Sequence, residues 1–220
     1  MNSDINNLLQ PLYEEALYTE SLKTRQRKYN PIGRSSISGH GLTLLGIITS
    51  INAKNILELG VAQGGTTLSL LYGAYLTGGT LTCVDKGVFP IDLNWVKNVP
   101  LDVKDNINLY KADSLQFLAD YDEEIDFIFV DDWHNGEHVI KELNLIKDKI
   151  SKSGVIALHD AMYGGNQPYY REDYSSTEGE FGNGGPYGGI KKFIDEDKEN
   201  QWEFVTIPAD HGLTILRKVL

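Results

Sequence analysis

Short apolar runs bounded by glycines and acids recur along the chain: NILELG, TLTCVD, INLYKAD, IDFIFVD and GVIALHD. Segments with helical periodicity separate most of them, one from Thr66, one in SLQFLAD and one in EHVIKELNLIKDKI. This alternation predicts a parallel sheet with right-handed helical crossovers. The helix from about Glu137 presents Val139, Leu143, Ile146 and Ile150 as the face that docks on the sheet. Upstream, Leu42, Leu44, Leu45, Ile47, Ile48 and Ile51 are too dense for a surface stripe and predict a largely buried helix. Residues 162–189 break the rhythm with Gly, Tyr and acids and no periodicity, as a lid or binding loop does. A short helix, IKKFIDED, and two closing strands, WEFVTIP and GLTILRKV, follow.

A chain of 220 residues holds one well-cored domain, here residues 38–220 with a substrate lid at 162–189, plus an N-terminal helical extension over 1–37. Leu8, Leu9, Leu12, Leu17 and Leu22 anchor that extension and Pro31-Ile32-Gly33 ends it; it is expected to cross the core or pair two subunits as a dimer. The formal charge of −11 argues against a nucleic-acid binder. Residues 21–57, however, carry Lys23, Arg25, Arg27, Lys28, Arg34 and Lys54 with no acid. One cysteine, Cys83, excludes an internal disulfide and a multi-cysteine metal site, and its apolar surroundings make it inert core. Neither a signal-peptide pattern nor a transmembrane-length run is present, so a cytoplasmic protein without a membrane partner is expected.

The first strand runs into a glycine turn, ELGVAQGGTT, with Glu58 just before it. A dinucleotide fingerprint would read G-x-G-x-x-G; Gly60, Ala62, Gly64 and Gly65 do not match it, and a carboxylate beside the turn would repel a pyrophosphate. The same carboxylate suits the cationic amino and sulfonium groups of S-adenosylmethionine. Asp85 ends the second strand, where an acid takes ribose hydroxyls, and Asp113 follows the third, toward an adenine amine.

On these residues the segment resembles the first motif of class I, Rossmann-like S-adenosylmethionine-dependent methyltransferases. The resemblance spans residues 40–220 and implies a seven-stranded, mostly parallel sheet of order 3-2-1-4-5-7-6 whose last two strands form an antiparallel hairpin. It also implies that Gly60 and Gly64 admit the cofactor to the backbone, Thr66 bonds its carboxylate and Asp85 its ribose, with Val61, Lys86, Asp131 and Trp133 against it.

Strand four ends FIFVDDWHNGEH and strand five VIALHDAMYG, which brings Asp131, Asp132 and His134 beside His159 and Asp160 at the carboxyl edge. This is similar to metal-dependent O-methyltransferases of the catechol, caffeoyl-coenzyme A and macrolide-sugar groups. The similarity implies a divalent ion on Asp131 and Asp160, a hydroxyl acceptor bound to it, and His134 as general base. The family's third ligand, an Asn or a Glu, is replaced here by Ala161 or His159. His159 as a nitrogen ligand would move the preference from Mg toward Mn, Fe or Zn; the alternatives are a water ligand or no metal. Asp132 and His138 read as solvent-facing or capping residues, and His40 as a surface-loop histidine. Tyr163, Tyr169, Tyr170, Tyr174 and Tyr187 in the lid suit a sugar or aromatic acceptor. Competing readings keep the fold but assign a metal-dependent hydroxylase or a non-catalytic S-adenosylmethionine-binding subunit; an NAD-dependent dehydrogenase is the weakest.

Overall fold

The computed structural model of the chain describes residues 40–62, 64–87, 105–161, 182–209 and 211–219. The extension over 1–37 and the lid residues 162–181 lie outside the described residues.

The elements follow in the order α1 (Gly41–Ser50), β1 (Asn55–Leu59), α2 (Thr67–Thr77), β2 (Thr80–Asp85), β3 (Ile107–Lys111), α3 (Ser114–Asp120), β4 (Ile125–Val130), α4 (Gly136–Ile146), β5 (Ile150–Leu158), α5 (Gly185–Glu196), β6 (Trp202–Ile207) and β7 (Leu213–Lys218). The strands form one sheet of order β3-β2-β1-β4-β5-β7-β6, as expected. β1 to β5 pair in parallel, and β7 inserts antiparallel between β5 and β6.

Strand alternation gives the sheet two buried faces. Ile56, Cys83, Phe127, Phe129 and Ala157 pack against α1 and α2. Leu57, Leu59, Ile128, Val130, Ile156 and Leu158 face α3, α4 and α5. Leu44, Leu45 and Ile48 bury one side of α1, while α2 hides most of its residues. This two-sided core is what fixes which strand-end residues face which way.

Three local expectations are corrected. Ile150 is not on the α4 face: the chain turns after Ile146, and Ile150 opens β5 beside Ile125. The last helix begins at Gly185 rather than near Ile190, with Pro186 in its first turn, where a missing N–H is harmless. Residues 185–189 of the expected lid are therefore helical; a Cβ at Gly189 would lie 2.6 Å from Gly136 O, so glycine lets α5 approach α4 closely. His40 is no surface histidine: it is 2 % exposed, and its Nε2 meets Ala209 O at 2.8 Å. Among the described residues, no helix is long and apolar enough to cross a membrane.

Candidate active site

The carboxyl ends of β1, β2 and β4 open on a cleft of about 240 Å³. Its lining includes Gly60, Asp85, Lys86, Ser114, Asp132 and Trp133. Asp85 Oδ2 accepts from the backbone N–H of Val61 at 2.8 Å and of Ala62 at 3.0 Å, while Oδ1 accepts from Gly87 N–H at 2.6 Å. Burial works against ionisation here, yet the N–H groups of Ala62, Gly87 and Val61 hold the carboxyl below its ordinary range. The acid thus ties the glycine turn to the end of β2.

Gly60 has φ +83°, and a Cβ there would sit 2.2 Å from Asp131 O. Only glycine allows the turn after β1 to lie against the end of β4. Close approach to a neighbouring strand, and not only to a cofactor, demands this residue.

Beyond Val130 the alternation of β4 divides two neighbouring acids. Asp131 continues the parity of Phe127 and Phe129 and meets His134 Nε2 at 3.3 Å and His159 Nδ1 at 3.2 Å. Asp160 joins them. Strand parity would send it to the other face with Ile156 and Leu158, but its backbone turns left-handed, φ +53°, and its Oδ2 lies 2.8 Å from His134 Nε2. Asp160 Oδ1 is 3.4 Å from His159 Nδ1 and 3.3 Å from His211 Nδ1. Burial opposes charge on Asp131, but His134 and His159 hold it below the carboxylate range. Burial alone would likewise lower His134; contacts with Asp131 and Asp160 overcome it and lift the imidazole to about 10.

Asp132 takes the opposite face. Its Oδ2 accepts from Ser114 Oγ at 2.6 Å and lies 3.3 Å from His138 Nε2, which is also 3.3 Å from Glu142 Oε1. Neither Asp132 nor His138 is a solvent-facing or capping residue, since their side chains are 19 % and 14 % exposed and Asn135 caps α4 by accepting from Glu137 N–H. Glu142 is wholly buried; burial, with Asp132 beside it, pushes its carboxyl up to about 8. Burial resists charge on Asp132, which His138 and Ser114 nevertheless hold down at about 2.

Residues 57–161 match the model of a family described as a methyltransferase domain. The strand order is the one expected of the class I methyltransferase fold, and solved structures share that fold. An O-methyltransferase from Bacillus cereus, in complex with S-adenosylhomocysteine, is 18 % identical, with 99 % of this chain and 96 % of that one covered and a TM-score of 0.62. The S-adenosylhomocysteine-bound methyltransferase PaMTH1 of Podospora anserina is 18 % identical over 95 % and 88 % of the two chains, TM-score 0.60. TomG of Streptomyces achromogenes, an O-methyltransferase of tomaymycin synthesis solved with S-adenosylmethionine, is 13 % identical over 95 % and 89 %, TM-score 0.59. At such identities the likeness establishes the fold. No functionally curated protein matches the sequence.

The expected cofactor residues divide. Gly60, Asp85, Lys86, Asp131 and Trp133 line the cleft. Val61 and Gly64 shape its turn, with Gly64 N–H donating to Val61 O, and Thr66 is the buried residue at the start of α2, the side chain making no capping bond. Asp113 caps α3 by accepting from Gln116 N–H and pairs with Lys86 at 2.5 Å. Glu58 points into the core beneath α2: Oε1 accepts from Thr67 Oγ1 and Oε2 from Cys83 Sγ. Burial lifts its carboxyl to about 8, against the lowering by Cys83 and Thr67, so it is largely uncharged at neutral pH and the electrostatic argument from this residue is weakened. The sequence reading missed Ser114 and the roles of Asp132, His138, Glu142 and His211. Glu142 had a legible signal: it lies at i+3 from Val139 and i−4 from Ile146, inside the buried stripe of α4.

The same sheet edge also offers donors for a divalent ion. Asp131, His134 and Asp160 bring one ligand atom each within 4.8 Å of one another. Asp160 Oδ1, buried and accepting no hydrogen bond, stands 3.4 Å from His159 Nδ1, a spacing that suits neighbouring ligands of one small cation better than a hydrogen bond. Carboxylate and imidazole together fit such an ion.

Proposed function

We propose that this methyltransferase transfers the methyl group of S-adenosylmethionine to a hydroxyl of a small-molecule acceptor, with a divalent ion held by Asp131, His159 and Asp160. The observation that carries this reading is the placement of those residues and His134 at one sheet edge, beside the cleft lined by Gly60 and Asp85. The bound sulfonium supplies an activated methyl group, and the ion an acidified acceptor oxygen.

The chain's own residues do the rest. Asp85 and the turn amides position the ribose end of the cofactor, and Trp133, half exposed at the cleft, walls it. His134 takes the acceptor proton at Nε2. In the metal-free state two carboxylates hold this imidazole protonated; with their charge engaged by a cation, His134 returns toward the neutral form that a base requires. A mixed oxygen and nitrogen donor set favours Mn, Fe or Zn over Mg.

Chelator-treated protein given S-adenosylmethionine, a panel of catechols and sugar hydroxyls, and single divalent metals tests the proposal through formation of S-adenosylhomocysteine. Metal-dependent turnover that disappears in both Asp160→Ala and His134→Ala is expected. Undiminished turnover in both variants would overturn it.

A further inference from the structure

Behind the cleft, on the opposite face of the sheet from Asp131, four heteroatoms converge. His138 Nε2 lies 3.3 Å from Asp132 Oδ2, 3.3 Å from Glu142 Oε1 and 3.2 Å from Ser114 Oγ. One imidazole N–H donates one good hydrogen bond, so it cannot serve three acceptors. A charge-assisted contact between imidazolium and carboxylate closes to about 2.7–2.9 Å, and neither carboxylate contact does.

Glu142 adds an independent observation. Its side chain is 0 % exposed, and neither carboxylate oxygen accepts a hydrogen bond; Asp132 Oδ1, also buried, accepts none either. A buried carboxylate without hydrogen bonds is strongly disfavoured unless something cationic engages it. Sequence supplies the geometry: His138 and Glu142 are four apart on α4 and share its inward face, while Asp132 enters from the end of β4.

We propose that Asp132, His138 and Glu142 form a second metal site, closed and structural, for a zinc-sized divalent ion. Bonds of about 2.0–2.1 Å in a tetrahedron set neighbouring donors about 3.3 Å apart, the spacing of the two carboxylate oxygens from His138 Nε2. Ser114 Oγ, by donating to Asp132 Oδ2, fixes that ligand, and water completes the shell. One imidazole and two carboxylates favour Zn or Mn over Mg. The ion ties the start of α3, the end of β4 and α4 together directly behind the cleft wall, to which Ser114 and Asp132 belong. This inference stands apart from the methyl-transfer reading.

The test is metal content of the full chain, stripped with chelator, dialysed against Zn(II) and measured by mass spectrometry. Glu142→Gln keeps shape and volume, and His138→Asn removes the nitrogen; each is expected to hold one ion fewer per chain than wild type, whether or not Asp160→Ala also loses one. Equal metal content in wild type and Glu142→Gln overturns the proposal. Should the variants fail to fold, wild-type crystals soaked in Zn(II) decide it by anomalous scattering: a peak between the three side chains supports the site, and its absence overturns it.

Discussion

Asp131 and Asp132 are neighbours in sequence, yet they serve different environments. Asp131 turns toward α1 and α2 and joins His134, His159 and Asp160, whereas Asp132 turns toward α4 and joins Ser114, His138 and Glu142. Each cluster reaches the cleft through its aspartate and holds one almost fully buried member, His159 in the first and Glu142 in the second; the first adds the half-exposed His211. Period-two alternation at one strand end thus supplies two clusters on opposite faces of the sheet from the same dipeptide.

The largest effect should come from the Asp131 side. His134→Ala should lower turnover by roughly a thousandfold, within the usual range for loss of a positioned base, while leaving the melting temperature close to wild type. Steady-state rates and calorimetry would show whether the two quantities separate. An equal fall in both would mean that the imidazole mainly holds the strand ends together.

Gly60→Ala breaks both clusters at once, because the new Cβ would lie 2.2 Å from Asp131 O and 2.7 Å from Asp132 Cα at a left-handed backbone position. A stability loss of about 3 kcal/mol is expected in denaturant unfolding. The β1 turn and the β4 end cannot both keep their places.

The two faces of the sheet also each bury one glutamate, Glu58 and Glu142, and each is raised to about 8. Such a carboxyl stays protonated in the fold at pH values where the unfolded chain has released its proton. Its contribution is therefore fully present below the unfolded value of 4.5 and is lost as pH rises through about 8. In metal-free protein, Glu58→Gln should lose less stability than wild type across that window, the difference being on the order of 2 kcal/mol. Unfolding free energies at pH 5 and pH 8 check this; parallel curves would mean that Glu58 is ionised in the fold.

Ser114→Ala should act least. It removes the donor to Asp132 Oδ2 and should cost about 1 kcal/mol, measurable as a small fall in melting temperature. An effect as large as that of Gly60→Ala would place Ser114 among the main supports of the wall.

Much of this was legible because strand ends are legible. Gly60, Asp85, Asp131 and Asp160 each follow an apolar run, and a parallel sheet gathers such positions at one edge. The direction of each side chain was not. In a sheet covered on both sides the central strands are largely apolar on both faces, so the pattern carries little parity; Glu58 could be placed at the turn but not assigned to the core beneath α2. His211 lies in the β6–β7 loop, 51 residues beyond Asp160 by number (211 − 160), and only the insertion of β7 beside β5 brings it there. Asp160 itself reaches the cluster through a backbone turn that no apolar pattern encodes.

That turn makes position 160 a place where selection pulls two ways. A left-handed aspartate is tolerated less well than glycine, and here it also buries an oxygen that accepts no hydrogen bond. A laboratory screen that rewarded heat resistance alone would be drawn to replace it, and under the proposed function the survivors would be well-folded proteins without turnover. Heat resistance and the proposed methyl transfer would therefore have to be selected together.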